Sequence, residues 1–79
     1  MLYKSGQERY HEEIQAVKKV VLNLYRPATI ETIALMASEE VNRKIEIHRV
    51  QAALKELCDK KVITKSPDGY IPVSDDYAR

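Results

Sequence analysis

Residues 49–63 read RVQAALKELCDKKVI, an amphipathic helix that runs straight into β-branched residues. Val50, Ala53, Leu54 and Leu57 recur at spacings of three, one and three, with Ile47 three residues upstream. That draws a single apolar face at helical period and predicts a helix over about 47–60. Val62-Ile63-Thr64-Lys65 then predicts a strand, because β-branched side chains lose rotamer freedom in a helix and pack well on a pleated surface. Ser66-Pro67-Asp68-Gly69 is a turn in which proline presets φ and glycine supplies the positive φ that closes a hairpin. Tyr70-Ile71-Pro72-Val73 returns as the second strand, and Pro72 confines it to an edge or to its last residues. Residues 74–79 read as a polar tail.

Upstream, Ser5 and Glu8 form an S-x-x-E capping box, in which hydroxyl and carboxylate each satisfy an orphan amide. Tyr10, Ile14, Val17, Val21 and Leu24, with Val20 beside them, continue that start as one apolar stripe over about 6–25. Pro27 stops the helix by lacking an N–H and by pushing Arg26 out of the α region. Pro27-Ala28-Thr29 is an extended connector, and Thr29 N-caps a second helix from Ile30 to about Val41, with Glu31 near the positive end of its dipole. Ile30, Ile33, Ala34, Ala37 and Val41 share its inner face, where the alanines admit another helix closely. Asn42-Arg43-Lys44 is a polar turn, and Ile45 anchors the crossing to the third helix.

The chain has 79 residues, 44% of them hydrophobic and 32% charged. That is room for one domain, with roughly 60% of the unfolded surface buried, and none for a deep substrate pocket. The composition is that of an ordered globular domain. A single cysteine excludes an internal disulfide and fits a reducing compartment; Cys58, beside Leu57 in the helical pattern, reads as a core or boundary residue. No apolar stretch approaches the ~20 residues that span a bilayer. The start, Met-Leu-Tyr-Lys-Ser-Gly, has no apolar signal core and places Leu2 where myristoylation requires glycine, so a cytoplasmic location follows by default. His11 and His48 stand apart, each without a partner at ligand spacing. The carboxylates of Glu12-Glu13 point different ways on a helix, those of Asp75-Asp76 lie in the tail, and Gly6 and Gly69 are too few for a phosphate loop. A non-enzyme with no cofactor and no metal is expected.

The net charge is +1, unevenly spread. From Asn42 to Lys65 there are seven basic and three acidic residues; the rest of the chain holds six basic and nine acidic. A molecule with one basic and one acidic side is predicted.

Helix, extended segment, helix, turn, helix, hairpin is the element order of a winged helix-turn-helix domain. Val50, Ala53, Leu54, Leu57, Val62 and Ile63 resemble the recognition-helix and first-wing-strand stretch of winged-helix regulators, and Thr29-Ile30-Glu31-Thr32-Ile33-Ala34 resembles their second-helix start. The resemblance covers roughly residues 10–73 and implies a mainly α domain with a small β-hairpin, three helices plus a short two- or three-stranded wing. It also implies a transcriptional regulator that binds double-stranded DNA. Two positions depart from the pattern. Lys61 stands where such domains often place a glycine with positive φ, and the wing carries only Lys65 as a basic residue, with Asp68 at its tip.

In the mode the resemblance implies, the N-terminal half of the third helix enters the major groove. Its outward face is centred on His48, Ala52, Lys55 and Asp59, flanked by Gln51 on one side and by Arg49 and Glu56 on the other. Arg49 is suited to guanine, Gln51 to adenine and Ala52 to a thymine methyl; Arg43, Lys44, Lys55 and, on the wing, Lys65 are suited to phosphates. A base-stacking mode lacks its platform, since Phe and Trp are absent and the five tyrosines are scattered. The third helix also lacks the Asn and Tyr of relatives that bind left-handed duplexes. The alternative is a winged-helix protein-interaction module, which near-zero net charge and a short wing also fit. A homodimer through the first helix, with Met1, Leu2 and Tyr3 ahead of it, is a further expectation.

Overall fold

The computed structural model describes residues 6–24 and 26–73. Ser5 of the expected capping box, Met1, Leu2 and Tyr3 of the expected dimer contact, and the tail from Ser74 lie outside the described residues. Three helices, α1 (Gly6–Asn23), α2 (Ile30–Val41) and α3 (Ile47–Asp59), precede an antiparallel hairpin of β1 (Ile63–Ser66) and β2 (Gly69–Pro72). This is the expected α+β layout of three helices plus a wing. α1 ends two residues short of the expected boundary, Leu24 donating its amide to the Val20 carbonyl at 3.2 Å before the chain turns toward Pro27.

Both turns that follow α2 and α3 are closed by a residue in the left-handed region. Asn42 has φ 61°, with its amide bonded to the Glu39 carbonyl and the Arg43 amide to that of Ser38. Lys61 has φ 62°, its amide bonded to the Cys58 carbonyl at 3.0 Å and the Val62 amide to that of Leu57 at 2.9 Å. These paired bonds satisfy carbonyls that the helix end would otherwise leave open. They also explain why β1 begins at Ile63: the Val62 amide is committed to the helix cap. The Val62 carbonyl remains available and accepts from Val73 at 3.0 Å just beyond β2.

The core lies where the three helices meet the base of the hairpin. Val17 and Val21 of α1, Ile33 and Ala37 of α2, Val50, Leu54 and Leu57 of α3, Ile45 and Ile63 are all buried. The apolar stripe of α1 is thus consumed within the domain; its described outward positions are mostly polar, with Leu22 the exposed large apolar residue among them. Ser38 Oγ accepts from the Ile45 amide at 2.9 Å and secures the crossing between α2 and α3.

Ala28 of the connector adds one rung to the wing. Its amide donates to the Tyr70 carbonyl at 3.1 Å, and the Tyr70 amide returns to the Ala28 carbonyl at 2.8 Å. Gly69, at φ 144°, passes so close that a Cβ there would sit 2.6 Å from the Ala28 oxygen. Glycine is required at this crossing, because both the dihedral and the space exclude a side chain.

Candidate nucleic-acid interface

α3 turns Val50, Ala53, Leu54 and Leu57 inward, so His48, Gln51, Ala52, Lys55 and Asp59 stand exposed along its outer side. These are the positions the helical period predicts for the solvent face. Lys55, Lys44 and Lys65 are exposed and carry no ion pair among the described residues.

Gln51 faces the wing. It lines, with Lys65, Ser66, Tyr70 and Thr29, a shallow groove of about 300 Å³ between α3, the hairpin and the start of α2. Thr29 caps that start, its Oγ1 accepting from the Thr32 amide at 3.3 Å. The unpaired amides of a helix N-terminus carry partial positive charge, so α2 directs that charge toward the same groove. Asp68 and Glu31 also line it and oppose that charge.

On the opposite flank of α3 lies a cluster that the sequence reading did not find. Arg49 donates from Nε to Glu13 Oε1 at 2.7 Å, and Arg43 donates from one Nη to Glu13 Oε2 at 2.9 Å. The second Nη of Arg43 bonds Glu12 Oε1 at 3.3 Å. Glu13 is the one buried charged residue among the described residues, 2% exposed. Burial pushes its carboxyl up, but the hydrogen bonds from Arg49 and Arg43 and their charges outweigh burial and hold it below the ordinary carboxylate range. Two of the eight positions expected to meet DNA are therefore engaged by acids of α1.

Charge counting within residues 42–65 does not reveal this pairing, because the acids come from about 30 residues upstream. The pattern of α1 does contain a signal. Glu13 stands three residues after Tyr10 and four before Val17, inside the apolar stripe, and a buried acid requires a cationic partner.

Glu56 ties the other half of α3 to α1, accepting from the Tyr10 hydroxyl at 3.3 Å and pairing with Lys60 at 3.1 Å. Burial, and then the charge of Glu56, push the Tyr10 phenol up. Burial, with the charge of Asp59, pushes the Cys58 thiol up, so it is a poor nucleophile at neutral pH.

No protein-family model, curated protein or solved structure matches the chain. Among the described residues, no helix is long and apolar enough to cross a membrane, and no group of three or more His, Cys, Asp or Glu is placed to hold a metal ion.

Proposed function

We propose that this chain is a winged-helix module that binds duplex DNA, a small transcriptional regulator rather than an enzyme, with the outer side of α3 in the major groove. One observation carries this reading: Gln51 on α3, Lys65 on β1 and the capped start of α2 open onto a single groove beside an exposed, largely unpaired helix face. A phosphate backbone running along that groove would meet Lys65 and the α2 amides while His48, Gln51 and Ala52 reach toward base edges and Lys55 toward a phosphate. Lys44, in the turn between α2 and α3, would bind the opposite strand's backbone.

A second reading, a protein-interaction module, is favoured by the neutralisation of Arg43 and Arg49 and by Leu35 on α2, which is 64% exposed. Fluorescence anisotropy with a mixed-sequence duplex at low and near-physiological salt separates the two. DNA binding predicts micromolar or tighter affinity that weakens with salt, and a loss of at least roughly tenfold in Gln51→Ala/Lys55→Ala, whose exposed positions leave the core intact. Absence of binding by the wild type at low salt overturns the DNA reading and leaves the protein-partner reading standing.

A further inference from the structure

We infer that Glu13 is a positioning residue for DNA recognition, holding Arg49 as a fixed guanine-reading fork while suppressing sequence-independent attraction. This deepens the DNA-binding reading and rests on it. Arg49 is the third residue of α3, in the half of the helix that would enter the groove. Glu13 engages it through Nε alone, at 2.7 Å. No buried side-chain nitrogen or oxygen among the described residues lacks a partner. The two Nη groups of Arg49, which make no hydrogen bond among the described residues, therefore reach solvent, and the side chain is 39% exposed. A guanidinium pinned at Nε by a rigid, buried acid keeps its Nη pair pointed outward, and two parallel donors match the O6 and N7 acceptors of guanine.

The same carboxylate cancels charge. Glu13 and Glu12 together neutralise Arg43 and Arg49, reducing the basic surplus of residues 42–65 from four to two. Attraction to any phosphate backbone falls accordingly, while the directional donors remain. Glu13 thus acts through Arg49 in two opposite senses, lowering affinity for arbitrary duplex and raising discrimination at one base.

The test compares wild type, Glu13→Leu and Glu13→Gln. Leucine fills the buried site without an acceptor, and both arginines are near enough to solvent to swing out; glutamine retains one acceptor for Nε. Selection from a randomised duplex pool reads base preference, and anisotropy with mixed-sequence duplex reads general affinity. The expected result is that Glu13→Leu binds mixed-sequence duplex several-fold more tightly at low salt. It should also lose about 5- to 150-fold of the preference at one guanine, and Glu13→Gln should restore part of that preference. An NMR cross-peak of the Arg49 Nε–H, protected from exchange in wild type and Glu13→Gln but not in Glu13→Leu, is expected independently of DNA. A parallel loss of general affinity and preference would assign Glu13 a purely structural role, and an unchanged preference would overturn the inference while leaving DNA binding intact. Failure of all three proteins to bind duplex would overturn both readings.

Discussion

Lys61 occupies a backbone conformation that favours glycine, and the cap bonds of Cys58 and Leu57 hold it there. A side chain in the left-handed region costs about 1–2 kcal/mol, of which glycine would return part to the greater freedom of its unfolded chain. Lys61→Gly is therefore expected to raise stability by roughly 0.5–1 kcal/mol, seen as a higher urea midpoint with an unchanged slope. Glu13 gives a pH prediction. Its carboxyl is held below the ordinary range, so the stability it contributes is complete above its unfolded-state value of about 4.3 and is lost as pH falls below that toward the folded-state value. Acid-unfolding curves of wild type and Glu13→Leu should converge in slope above that pH and differ below it; identical curves throughout would show that the carboxylate is not linked to folding. Cys58, its thiol raised by burial and by Asp59, should react with an alkylating reagent at pH 7 more slowly than a free cysteine.

At the scale of elements, the wing is seated by what lies outside its own two strands, Ile63 in the core and the rung to Ala28. An isolated hairpin is marginal in water, and here the rung between Ala28 and Tyr70 fastens it to the start of α2. Gly69→Ala would drive a Cβ into the Ala28 backbone. The expected cost is about 2–3 kcal/mol, with the Ala28 and Tyr70 amides losing hydrogen-exchange protection ahead of α3; retained protection at both would show that the wing tolerates the shift. α1 is similarly more than a core helix. Its inner stripe packs the domain, while Glu13 within that stripe and Glu12 beside it reach the turn and the helix that were expected to face DNA.

At the scale of the whole molecule, the charge available to a partner is smaller than the sequence count. Lys44, Lys55 and Lys65 are the candidate phosphate contacts that carry no ion pair among the described residues. Three phosphates at about 0.9 each predict a slope of log K against log salt near −3 for mixed-sequence duplex. A slope nearer −5 would mean that Arg43 and Arg49 leave Glu13 on binding.

Much of this was legible in the residues themselves. Helical period placed Val50, Ala53, Leu54 and Leu57 inward and left His48, Gln51, Ala52 and Lys55 outside, because burial of one face follows from local spacing. Thr29, Pro27 and Gly69 marked ends and turns for equally local reasons, through a side-chain cap, a missing N–H and a permitted positive φ. The same locality explains the one-residue error at β1, where propensity favoured Val62 as strand but the cap of α3 had already taken its amide. The pairing of Glu13 with Arg43 and Arg49, and the approach of Gly69 to Ala28, join residues about 30 to 40 positions apart. Local spacing carries no information about which helix flank meets which acid; that depends on how α1 packs against α3, so which cations remain open to a partner emerged only from the folded chain.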